Sequence, residues 1–136
     1  MYQHLVQYYE TDRMGVTHHS NYIRFMEEAR LDFFNDLGYD YLEFEKLGVF
    51  SPVVGLNNIR YKRSTTVGDL LDIEVSIKSM TAVTFTMAYV MKVQGNIVFT
   101  AESEHCLISK EGKILPLNNK QTQAFYEKVK SLLPNE

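Results

Sequence analysis

The chain has 136 residues, of which 45% are hydrophobic, 12% aromatic and 23% charged, with a formal net charge of −3. That length suits one folded unit over residues 1–136, and the composition excludes a disordered chain. The slightly acidic balance argues against a nucleic-acid binder, whose affinity rests on neutralising phosphates, but leaves room for a local basic site. A single cysteine, Cys106, excludes an internal disulfide. In its alternating strand pattern it reads as a small core residue rather than a nucleophile. The opening MYQHLVQYYE lacks the basic and apolar regions of a secretory signal. No apolar run approaches the ~20 residues of a membrane span. The expectation is a soluble, cytoplasmic protein.

In chain order, residues 2–9 are rich in Tyr, Val and Leu and read as a strand. ETDRMGVTHHS then forms a connection that holds Gly15 and ends in Ser20 and Asn21, both suited to capping a helix. From about 21 to 36 the period becomes helical. Tyr22, Phe25, Met26, Ala29, Phe33 and Leu37 recur at spacings of three or four, and Gly38 suits a left-handed cap. A shorter amphipathic stretch, YDYLEFEKLG, ends at Gly48. FSPVVGLNNIRYKR then reads as a strand, with Arg60 and Lys62 on one face. In LLDIEVSIKSM, Leu71, Ile73, Val75 and Ile77 alternate with polar residues. Val83, Phe85, Met87, Tyr89, Met91 and Val93 share one face of the next strand. Gly95-Asn96 marks a hairpin turn. Ile97, Phe99, Ala101 and Leu107 share a face beyond it, and NKQTQAFYEKVKSLL reads as a helix docking Phe125, Val129 and Leu132. One long helix, four successive strands with short connections and a last helix predict an α+β fold. Its bent antiparallel β-sheet wraps around the long central α-helix.

The polar residues cluster in YYETDRMGVTHHSNYIRFMEEAR. Asp12 is either a turn acid, which Asp favours, or a reacting acid. His18 and His19 are adjacent, so at most one of them shares a pocket with Asp12. With only His4 and His105 besides, and no HxxxH or CxxC spacing, metal binding is not supported. The amides from His19 to Tyr22 stand at a helix start, where N–H groups lack intrahelical partners and carry partial positive charge. They are suited to polarising a carbonyl and holding an oxyanion. Glu27, two turns past His19, either flanks such a site or pairs in solvent with Arg24 or Arg30, and Glu28 reads as solvated. Arg60, Lys62 and Arg63 are the densest basic cluster. They suit phosphates, or equally a charged strand edge. Phe25, Met26, Val54 and Leu56 are candidates for an apolar pocket.

These residues resemble the motif of the hotdog-fold acyl-CoA thioesterases, in the branch of 4-hydroxybenzoyl-CoA thioesterase and the YbgC-like enzymes. The carriers are Tyr8-Tyr9, Thr11-Asp12, Gly15-Val16, His18-His19, Asn21-Tyr22, and Glu27 with Ala29-Arg30. Tyr61, Gly68, Asp69 and Leu70 support them, and the likeness spans nearly the whole chain. The resemblance implies hydrolysis of an acyl-CoA thioester to a carboxylic acid and CoA. Asp12 acts as nucleophile or general base, and the backbone N–H near His19 as oxyanion donor. His19 itself matches the branch's histidine. Tyr8, Tyr9, Gly15, Val16, Asn21, Tyr22 and Glu27 line the substrate site, and Arg60, Lys62 and Arg63 are candidates for the CoA phosphates. No metal or cofactor is implied, since coenzyme A belongs to the substrate. A homo-oligomer is implied, a dimer or dimer of dimers with active sites at its interface. Two rivals stand beside this reading: a non-catalytic acyl-CoA or acyl-carrier-protein binding module, against which the intact Asp12 argues, and a thioesterase acting on acyl-carrier protein.

Overall fold

A computed structural model describes residues 1–134; the last two residues of the expected 1–136 unit lie outside it. The elements are β1 (Tyr2–Leu5), a 3-10 turn (Tyr8–Glu10), α1 (Asn21–Asp36), α2 (Tyr41–Leu47), β2 (Val49–Phe50) and β3 (Val53–Tyr61). β4 (Leu70–Met80), β5 (Thr84–Val93), β6 (Asn96–Ser109), β7 (Ile114–Leu115) and α3 (Gln123–Ser131) follow. The long strands lie in the order β1, β4, β5, β6, β3, every pairing antiparallel, while β2 and β7 pair with the far end of β6. The sheet curls around α1, the α+β arrangement the sequence predicts. Because β3 pairs with β6 rather than with β4, it forms one edge of the sheet.

α1 spans the predicted residues. Its stripe of Tyr22, Phe25, Met26 and Ala29 is buried against Leu71, Ile73, Phe85, Met87, Tyr89, Met91 and Phe99 of the sheet. Each large apolar side chain among them contributes roughly 1.5–3 kcal/mol by leaving water, and Ala29 less. α3 places Phe125 against Phe34, Phe44 and Phe85, with ring centroids 5.8, 5.0 and 6.0 Å apart. Leu37 closes α1 and Gly38 follows at φ 87, as its position beyond the apolar stripe requires. Among the described residues no helix is long and apolar enough to cross a membrane.

Five expectations are corrected. β1 stops at Leu5 rather than running to residue 9. The Glu10 carboxylate accepts from the Gln7 amide at 2.7 Å and caps a 3-10 turn, which overrides the strand preference of Tyr8-Tyr9. The hairpin turn is Gln94-Gly95, both at positive φ (50 and 83), and Asn96 already pairs with Val93. A register shift at Met91/Lys92 admits Val98 as an extra residue. Val98 is therefore buried, and Ile97 turns to solvent. Lys62 lies beyond the end of β3, with its amide on the Val98 carbonyl, so it shares no strand face with Arg60. Val83 and Leu132 are exposed, because each falls just outside its element.

Candidate active site

The connection after the 3-10 turn is a closed loop rather than an open linker. Thr11 and Thr17 bridge its ends, the Asp12 amide donates to Val16 O at 2.9 Å, and the Gly15 amide donates to Asp12 O at 3.0 Å. Gly15 takes φ 78, where a side chain would be strained. One oxygen of the Asp12 carboxylate accepts from the Met14 amide at 2.8 Å, the self-bonding turn that Asp favours. The second oxygen has no protein partner among the described residues. Thr66 pins this loop from outside, its hydroxyl donating to Gly15 O at 2.6 Å.

The helix start shows which amide is left over. His18 N donates to Glu10 O at 2.8 Å, Ser20 N to His18 Nδ1 at 3.2 Å, Asn21 N to His18 O at 3.0 Å, and Tyr22 N to His19 O at 3.3 Å. Among the described residues the His19 N–H alone in this run has no acceptor. Its carbonyl is held from the other side by the Tyr61 hydroxyl at 3.1 Å. The His19 ring stands exposed, tilted on His18 (4.2 Å between centroids) and edge-on to Tyr61 (6.4 Å).

A cavity of about 180 Å³ opens here, lined by Thr17, His19, Tyr22, Tyr61, Lys62, Arg63 and Ser64. The structure thus brings His19, Tyr22, Lys62 and Arg63 together. Tyr22 contributes a ring whose hydroxyl is engaged by buried Thr65 at 2.9 Å, and burial pushes that hydroxyl's pKa above its ordinary value of 10.0. Asp12 is not on this lining. Arg60 is exposed and outside it. Tyr8 and Tyr9 project outward from the 3-10 turn, 82% and 80% exposed. Val16 is half-buried on the loop.

Other candidates take structural places. The Asn21 side chain donates to Glu10 O at 2.9 Å, fastening the helix start to the 3-10 turn. Glu27 is exposed and makes no ion pair among the described residues. Glu28, expected in solvent, instead accepts from the Tyr2 hydroxyl at 2.7 Å and meets His4 Nδ1 at 3.2 Å. Burial and Glu28 push the Tyr2 hydroxyl up to about 12. His4 Nε2 reaches Glu10 at 2.8 Å. Phe25 and Met26 are core residues at 0% exposure, because the α1 stripe faces the sheet and not a pocket. Val54 and Leu56 lie exposed on β3. Sequence reasoning named Tyr61 only as part of the supporting motif, with no place in the site, and missed Thr17 and Ser64 on the cavity. For Tyr61 a signal existed: an aromatic at a strand end, directly before Lys62-Arg63. Cys106 is buried, and no cluster of three or more potential metal ligands occurs among the described residues.

Residues 6–131 match the model of the thioesterase-like superfamily. A relative in Aquifex aeolicus (strain VF5), provisionally described as an esterase, is 35% identical over 118 residues, 86% of this chain and 90% of its own. YneP of Bacillus subtilis (strain 168), provisionally described as an acyl-CoA thioesterase, is 36% identical over 107 residues, 78% of this chain and 77% of its own. Among solved structures, the DHNA-CoA thioesterase of Staphylococcus aureus superposes with a TM-score of 0.85 at 28% identity. That match covers 96% of this chain and 87% of the other.

Proposed function

The chain belongs to the thioesterase-like superfamily and is by class a thioester hydrolase, and from that premise we propose that it hydrolyses acyl-CoA to a carboxylic acid and CoA at the loop–helix junction around Asp12 and His19. The observation that carries this reading is the His19 N–H, the amide at the helix start that keeps no internal acceptor. It binds the thioester oxygen and stabilises the negative charge that develops there. Lys62 and Arg63, on the same cavity, attract the phosphates of the CoA arm; the exposed Arg60 is the weaker candidate.

Asp12 supplies the second half of the chemistry through the carboxylate oxygen that the Met14 amide leaves free. As base, it takes a proton from water whose oxygen attacks the thioester carbon. As nucleophile, it attacks directly and the resulting anhydride is hydrolysed. In both routes the carbon–sulfur bond breaks, and CoA leaves as a thiolate that then gains a proton. Neither route calls for a metal or cofactor. Asp12 stands outside the cavity of the single chain, which supports an arrangement in which a second copy completes the site. The exposed apolar edge of β3 is the surface available for that pairing. A cytoplasmic location is part of the same reading.

The test is thiol release over a panel of aliphatic and aromatic acyl-CoAs, with matched acyl-carrier proteins included. Asp12→Asn is expected to lower kcat by ~10²–10⁴ with an unchanged circular dichroism spectrum. Full activity in that variant would remove Asp12 from the mechanism. Turnover of the carrier-protein substrates alone would replace CoA as the donor. Binding of acyl-CoA without consumption would reduce the protein to a binding module.

A further inference from the structure

A second cavity, also about 180 Å³, lies at the other half of α1. Arg30 is nine residues past Asn21, about 14 Å along the helix axis at ~1.5 Å per residue. Phe34, Tyr39, Phe44 and Val49 form its walls, and Leu31 and Phe50, 49% and 46% exposed, stand at its rim. None of these residues lines the cavity at His19. Its size is below the ~300–1,000 Å³ of sites for drug-sized ligands, so a fitting occupant is small.

Arg30 gives this apolar space a charge. Arg30 is half-buried as a residue, and its Nη1 donates to the Tyr89 hydroxyl at 3.1 Å. That hydroxyl bonds Ser103 Oγ at 2.7 Å, and Ser103 Oγ bonds His105 Nε2 at 2.7 Å. Tyr89, Ser103 and His105 are each 1% exposed or less. Burial, then the nearby Arg30 charge, push His105 down to about 4, so this anchoring chain is neutral near pH 7. Among the described residues no carboxylate pairs with Arg30. Among the described residues the neutral Tyr89 hydroxyl is the one protein partner of the guanidinium, and its remaining N–H donors, which reach solvent, can form the forked pair that guanidinium makes with carboxylate. Glu45 is the one acid on the lining. It is exposed to solvent and beyond ion-pair distance of Arg30, so water and salt screen its repulsion of a carboxylate ligand.

We propose that this cavity is a second binding site, for a small apolar carboxylate whose head pairs with Arg30 and whose body packs on Phe34 and Phe44. The site stands whether or not the loop–helix junction performs the proposed hydrolysis. If it does, the ligand class coincides with that of a reaction product, which makes this a place where a released acid acts back on the protein.

The experiment titrates the full chain with benzoate and hexanoate, and with benzamide and hexanamide as neutral matches, followed by calorimetry and by amide chemical shifts. The carboxylates are expected to bind at least about tenfold more tightly than the amides and to move the signals of Leu31, Phe44 and Phe50. Arg30→Gln abolishes the difference between acid and amide. Glu45→Gln, an exposed change that leaves folding untouched, tightens acid binding by no more than about twofold, because its repulsion is screened. Asp12→Asn leaves binding unchanged. Equal affinity for acids and amides overturns the proposal, as does the absence of shifts at this cavity. Shifts confined to His19 and Tyr61 place the acid at the other site and also overturn it.

Discussion

At the scale of single residues, His19 matters for its amide more than for its ring. The imidazole is exposed and tilted on His18, whereas among the described residues the N–H is the one donor in this run left when its neighbours have taken Glu10 O, His18 Nδ1, His18 O and His19 O. Removing the ring and removing the N–H are therefore separable. His19→Ala is expected to keep thiol release within a few-fold, while His19→Pro, which lacks the N–H, is expected to lose ~10²–10³ in kcat. Matched thermal melts guard against misfolding. Equal loss in both variants would shift the role to the imidazole. Asp12 shows the same economy: one oxygen closes its own turn, which orients the other. A turn acid and a reacting acid are thus compatible descriptions of one side chain.

At the scale of elements, β3 stands apart. Seven of its nine residues are exposed, among them Val53, Val54 and Leu56, and it is an edge strand. Long apolar edges invite pairing with another chain unless charge or bulges blunt them. β3 has register shifts between Val53 and Gly55 and between Asn57 and Arg60, with Asn58 at φ 53, yet its first half still exposes Val53, Val54 and Leu56 and carries no charge. The prediction is that Val54→Lys with Leu56→Lys yields a monomer by light scattering. Thiol release should be lost with little change in melting temperature, since both side chains are outside the monomer's core. A persistent, active dimer would exclude β3 as the interface. The 3-10 turn is the other decisive element. It holds Glu10 so that its carbonyl seats both His18 N and the Asn21 side chain, and thereby sets the angle at which the loop meets α1.

At the scale of the whole molecule, the buried chain from Arg30 through Tyr89 and Ser103 to His105 ties α1 to β5 and β6. His105 stays neutral when folded, with its pKa lowered from 6.5 to about 4 by burial and by Arg30. The unfolded chain takes up the proton first as pH falls. Stability from this group is therefore complete above about 6.5 and lost between there and about 4. The loss is on the order of 3 kcal/mol at ~1.4 kcal/mol per unit. Denaturant titrations of the native protein and His105→Gln across that range should converge at low pH. Parallel curves would show that His105 does not govern the acid limb.

The sequence by itself determined the α+β class, the bounds of α1, the alternation of β4 and β5, and the stretch in which the polar residues concentrate. These depend on local periods and caps that each segment carries within itself. Only the tertiary structure decided that β3 joins β6 at the sheet edge, that Val98 rather than Ile97 enters the core, and that Lys62 and Arg63 but not Arg60 reach the cavity. It also decided that Phe25 and Met26 belong to the core, and that Tyr61 grips the backbone of His19 from 42 residues away. Strand partnership, a one-residue register shift and the acceptor left to a given amide all depend on groups distant in the chain, and no local period records them.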